Sequence, residues 1–190
     1  MLRKLITLYF RNIRKGPEPL AGRRYVAARL DHAALPRTVL TLLALLCVLV
    51  LIFFLHELAP LLIILCAPVV AMPAMAYAAS PLGYAIDNRA LYVERKAFKT
   101  VKIPLRQITN VRYLPRPALQ GATRIYGTGG LFGWAGRYRI RDLGTVSMHA
   151  TNLDRLIMIQ RRYRTPIVIS PADAEAFLAT LRQQYMTLQA

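Results

Sequence analysis

The chain has 190 residues, 55% of them apolar, and a mean hydropathy of +0.33, too apolar for an ordinary soluble domain of that length, so part of it belongs in lipid. Its 26 Lys and Arg against 9 Asp and Glu exclude a charge-balanced surface, and none of the 26 falls between Arg37 and Arg89. The two cysteines, Cys47 and Cys66, both sit in that uncharged stretch and form none of the spacings of a zinc site or a disulfide-stapled secreted domain.

Residues 1–37 read as a basic arm. From Met1 to Lys15, Leu2, Leu5, Ile6, Tyr9 and Ile13 recur at spacings of three and four among basic residues, the pattern of a short amphipathic helix. It is not a secretory signal, because the apolar run starts only near the fortieth residue and no small-residue cleavage site closes it. Gly16 to Arg37, rich in Pro, Gly and Arg, is expected to be a linker along the membrane surface.

Residues 38–81 read as a transmembrane helical hairpin. Val39 to Leu55 carries no charge and at about 1.5 Å per residue spans roughly 26 Å, close to the ~30 Å hydrocarbon core once flanking residues are added. After His56 and Glu57, expected to form a polar loop tip, the apolar run resumes from Leu58 to Ala79. Pro60 suits a first helical turn, whereas Pro68 and Pro73 remove backbone donors and are expected to kink the second helix. Antiparallel packing would set Cys47 and Cys66 at similar depth, as apolar packing residues or as a disulfide. Nine Lys or Arg against two acids precede the hairpin, and seventeen against six follow it. That balance predicts an inner-membrane protein with both termini cytoplasmic.

Residues 82–190 read as a strand-rich domain. Strands are expected at Tyr84–Ile86, Ala90–Val93, Thr100–Ile103, Val111–Leu114, Tyr138–Ile140, Val146–His149, Leu156–Gln160 and Ile167–Ile169. A closing helix has Ser170 as expected N-cap, Pro171 at its first position and Asp173 in its first turn, with Ala174, Phe177, Leu178, Leu181 and Tyr185 on one face. The fold class is therefore α+β and mainly β, a small barrel or sandwich closed by a helix.

Gly127 to Gly136 holds five glycines around Leu131, Phe132 and Trp134. It lacks the spacing of a nucleotide fingerprint and reads as a glycine hairpin or bulge. Its aromatics are expected either to pack inward or to present an apolar wedge. Three stretches then carry a resemblance: I-P-L-x-x-I at Ile103–Ile108, G-x-G-G-L-F-G-x-x-G at Gly127–Gly136 and I-S-P-x-D-x-x-x-F at Ile169–Phe177. In that order, over roughly Leu82 to Leu181, they resemble a bacterial pleckstrin-homology-like (PH-like) domain family whose members often carry N-terminal spans. The resemblance implies a seven-stranded, partly open barrel capped by the C-terminal helix, and self-association. It says little about function.

Among the three histidines only His149 lies in the domain, its six acids are scattered, and no metal-ligand spacing appears, so neither catalysis nor a cofactor is expected. The basic residues are more informative. Arg95, Lys96, Lys99, Lys102 and Arg106 gather around one expected hairpin; Arg137, Arg139 and Arg141 alternate on one strand face; Arg161, Arg162 and Arg164 crowd a turn. The expected function is a non-catalytic binding or scaffolding module. Its binding residues would be Arg95, Lys96, Lys99, Lys102, Arg106, Leu131, Phe132 and Trp134, facing anionic phospholipid headgroups or a partner protein. The alternative is a small subunit or regulator of a larger membrane complex. Nucleic acid is not expected, because a generic basic patch does not establish it.

Overall fold

The computed structural model describes residues 23–28, 30, 34–55 and 59–187. The amphipathic helix expected in the arm and the polar tip at His56 and Glu57 lie outside the described residues.

Two helices form the hairpin, α1 (Ala34–Phe54) and α2 (Ala59–Ala79). Helix α1 starts ahead of the uncharged run and takes in Pro36 and Arg37, since a proline in the first turn costs no intrahelical bond. Pro68 and Pro73 lie inside α2, which is continuous through both. Among the described residues one helix, α1, is long and apolar enough to cross a membrane, and the described apolar run Cys66–Ala79 of α2 is shorter. Both cysteines are free thiols.

Among the described residues ten strands, one ahead of α1 and nine after α2, form two sheets. The first is ordered β1 (Arg23–Val26), β2 (Pro81–Ile86), β3 (Ala90–Arg95) and β4 (Val101–Pro104), antiparallel throughout. The second runs β5 (Ile108–Leu114), β9 (Leu156–Arg161), β10 (Arg164–Ile169), β8 (Gly144–Ala150), β7 (Trp134–Ile140) and β6 (Thr123–Gly129). All its pairs are antiparallel except β10 with β8. Where a seven-stranded, partly open barrel was expected, the described residues form two sheets that do not close, with one isolated β-bridge between them, Ala27–Pro171.

Two expectations change for identifiable reasons. Part of the supposed surface linker is strand β1, held by Tyr25, whose ring meets Phe177 edge-on at 5.1 Å and whose hydroxyl donates to Thr180 Oγ1 at 2.8 Å. Strand β6 had no expected counterpart, because as an edge strand it is largely exposed and its residues need no apolar alternation.

One core lies between the first sheet, strands β5, β9 and β10, and the closing helix α3 (Ala174–Thr187), around Tyr84, Ile103, Ile159, Ile169, Phe177 and Leu181. Burying Phe177 alone contributes about 1.5–3 kcal/mol. A second core covers the opposite face of the six-stranded sheet, where Ala34 packs with Trp134, Tyr138, Met148 and Met158. Tyr84 ties the sheets together: its hydroxyl donates to the His149 carbonyl at 2.8 Å and accepts the Ser170 N–H at 3.1 Å.

The N-cap of α3 is Asp173, whose Oδ1 accepts the Ala176 N–H at 3.0 Å. Ser170 cannot serve, because the chain stays extended through the bridge at Pro171. Its buried Oγ instead accepts the Thr151 N–H at 2.8 Å and fixes the end of β8.

Candidate functional site

Two hairpin turns clasp the ends of the helices where the chain enters α1 and leaves α2. The turn between β3 and β4 donates Lys96 N–H to the Ser80 carbonyl at 3.1 Å, and Ala97 and Phe98 N–H to the Ala78 carbonyl at 3.1 and 3.3 Å. The last carbonyls of a helix have no intrahelical donor, so this turn satisfies them. It also sets Arg95 and Lys96 beside the negative end of the α2 dipole. The Lys96 ammonium stands 4.2 Å from the Tyr77 ring centroid and 5.9 Å from that of Phe132, and burial pulls Arg95 and Lys96 below their usual pKa ranges.

The glycine hairpin between β6 and β7 makes the second clasp. Phe132, at a φ of 54°, donates its N–H to Thr38 Oγ1 at 3.1 Å and lays its ring edge-on to Tyr77 at 5.4 Å. Arg37 donates to the Gly129 carbonyl at 3.1 Å. Below the turn Gly127 pairs with Gly136, both at positive φ, and a Cβ on either would fall 2.1–2.2 Å from a carbonyl of the facing strand. Only glycine allows that approach.

The expected binding residues therefore divide. Arg95, Lys96 and Lys99 stay together at the first turn, where Arg95 Nε donates to the Lys99 carbonyl at 2.9 Å and its guanidinium lies 5.5 Å from the Phe98 ring. Lys102 turns outward over Tyr92 at 5.7 Å. Arg106 falls past Pro104, which pairs with Ala90 at the far end of the hairpin, so it leaves the cluster. Leu131 and Phe132 are half-buried, Phe132 against Tyr77 of α2. Trp134, only 6% exposed, belongs to the second core and is withdrawn from any surface role. Its place is set by strand alternation, which sends it inward with Tyr138 and leaves Arg137 and Arg139 exposed.

Between α2 and the sheet lies a cavity of about 610 Å³. Met72, Met75 and Ala76 of α2 line one wall; Arg95, Arg124, Arg137 and His149 line the other. The sheet face explains the polarity. Ser147 pairs with Ile167 and His149 with Ile169, so the face that is core on β10 continues onto β8 as polar side chains, and then onto β7 as Ala135 and Arg137. The Nδ1 of His149 is sealed from solvent and has no partner among the described residues. Burial, then Arg95 and Arg161, push its pKa down to about 4.

Sequence reasoning missed Arg37 and Arg124. Arg124 lies on strand β6, which has no apolar alternation to signal it, over Gly129, and Arg37 closes the stretch expected to be a linker. No carboxylate pairs with Arg37, Arg95, Lys96, Arg124 or Arg137 among the described residues, whose one ion pair outside this region joins Arg116 and Asp154 at 2.8 Å. No group of three or more His, Cys, Asp and Glu side chains suited to a metal occurs among the described residues.

No curated protein and no solved structure matches the chain. Residues 82–185 match the family model of the bacterial PH domain, and the chain belongs to that family.

Proposed function

We propose that the protein is a membrane-anchored, non-catalytic binding module. Helices α1 and α2 would cross the bilayer as a hairpin, and residues 82–190 would lie against the cytoplasmic face to engage anionic headgroups. The observation that carries this reading is the position of the unpaired cations. Arg37 stands in the first turn of α1 and donates to the Gly129 carbonyl, Lys96 is held at the end of α2 by Ser80 and Tyr77, and Arg95 adjoins Lys96 in sequence, at the level where headgroups would stand. PH domains are in general binding modules without catalysis, which agrees. Near an anionic leaflet each such cation contributes about 1 kcal/mol.

A second reading, assembly with a protein partner or a second copy, is favoured by edge strand β6, which leaves Ile125 and Tyr126 half or more exposed beside an unpaired backbone edge. The test is the full chain in bilayers containing a small fraction of labelled lipid. Anionic lipid should be enriched around the protein over neutral lipid, and the enrichment should fall as salt shortens the Debye length from about 10 to about 3 Å. Equal enrichment of both lipids would leave the partner reading in place of the headgroup one.

A further inference from the structure

The glycines of the β6–β7 hairpin do more than turn the chain. Gly127, Gly129 and Gly136 all line the cavity, so the backbone of this hairpin forms part of its wall beside the arginines. At about 610 Å³ it falls within the usual ~300–1,000 Å³ of a small-molecule site.

The walls differ in chemistry. Met72 and Met75, 71% and 62% exposed, face it from α2, and Met72 stands about 10 Å along the helix from Ala79 at 1.5 Å per residue. That distance exceeds the ~5–8 Å thickness of one interfacial layer, so this wall reaches hydrocarbon depth if Ala79 marks the headgroup level. The facing wall supplies three guanidinium groups, suited to paired hydrogen bonds with phosphate, and is completed by Ser147 and His149. An occupant must be anionic at one end and apolar at the other, and it must come from the side of α2.

We propose that this cavity binds the phosphorylated headgroup of one anionic phospholipid. The phosphate is held by Arg95, Arg124 and Arg137, and the upper chain lies along Met72 and Met75. The proposal rests on the headgroup reading above and narrows it from a charged surface to a single lipid in a built site.

The full chain, extracted in mild detergent and washed at high salt, is weighed intact by native mass spectrometry. The expected result is one anionic phospholipid retained per chain. Arg124→Gln with Arg137→Gln should lower its occupancy about tenfold or more, since each charge-assisted hydrogen bond contributes roughly 1.5–3 kcal/mol and 1.4 kcal/mol is tenfold. Ala79→Phe, which narrows the cavity without altering charge, should do the same. Arg162→Gln with Arg164→Gln, at the remote β9–β10 turn, should leave it unchanged. A melting curve of each variant shows that the fold persists. No retained lipid, neutral lipid retained equally, equal loss in the remote variant, or equal thermal stabilisation of delipidated protein by inorganic phosphate would each overturn the proposal. Enrichment of anionic lipid in bilayers without retention would sink the cavity site alone, whereas absence of both would sink the headgroup reading as well.

Discussion

The Lys96 ammonium lies 4.2 Å from the centroid of the Tyr77 ring, so a hairpin of the sheet domain and the last turn of α2 are fastened by a cation on an aromatic face. Such pairs contribute about 0.5–1 kcal/mol when exposed and ~2 when desolvated. Lys96→Met and Tyr77→Leu, singly and together, should give a coupling of that size in a double-mutant cycle of thermal stability. Additive effects would show that the two groups do not interact.

Phe177 is fully buried and meets the rings of Tyr25 and Tyr84 edge-on at 5.1 and 6.1 Å. Phe177→Ala should destabilise the domain by roughly 3–5 kcal/mol, read by chemical denaturation. Deleting residues 1–30 should weaken it in the same place, because Tyr25 leaves with β1. A loss below about 1 kcal/mol from Phe177→Ala would mean that α3 does not close this core.

His149 gives the fold an acid-side dependence. Its folded pKa of about 4 lies below the ordinary 6.5, so the folded state prefers neutral imidazole. The resulting stability is present above pH 6.5 and is lost as pH falls from there toward 4, by up to about 3 kcal/mol. Unfolding of the full chain followed over that range should show the slope, and His149→Gln should flatten it.

Tyr84 acts on the alkaline side. Burial raises its phenol to about 12, so the folded state keeps the proton while an unfolded tyrosine ionises near 10. Stability should fall between about pH 10 and 12 by roughly 2–3 kcal/mol. Tyr84→Phe should remove that part of the slope, yet cost about 1–3 kcal/mol at neutral pH by stranding the buried Ser170 N–H.

For topology, a reporter active only in the cytoplasm should work when fused to either end of the chain, because basic residues dominate both flanks of the apolar region. Activity at one end only would rule out the hairpin.

Periodicity made the apolar helix α1, most of the strands and the inward face of α3 readable, because each buries one side of a regular element. Phe177 and Leu181 stand where that rule puts them. What escaped was structure fixed at long range. Tyr25 is one aromatic in a basic stretch, and only Phe177, far along the chain, makes its segment a strand. Arg106 follows Lys102 closely in sequence, yet the hairpin carries it away from Arg95. The cavity was unreadable because its walls, α2 and strands of both sheets, lie far apart in the sequence. Its arginines come from β3 in one sheet and from β6 and β7 in the other, which only the fold brings together.

Strand β1 precedes α1, and its partner β2 follows α2, with Arg23 opposite Ile86 and Val26 opposite Gly83. In a bilayer, the first sheet can complete itself only when both helix ends emerge on one side, since a chain that crossed once would leave the two strands in separate compartments. Assembly of the sheet would then act as an insertion check. A protein with a wrongly threaded hairpin would present a vacant edge on β2 and an uncovered Phe177, the kind of unfinished surface that quality-control proteases recognise.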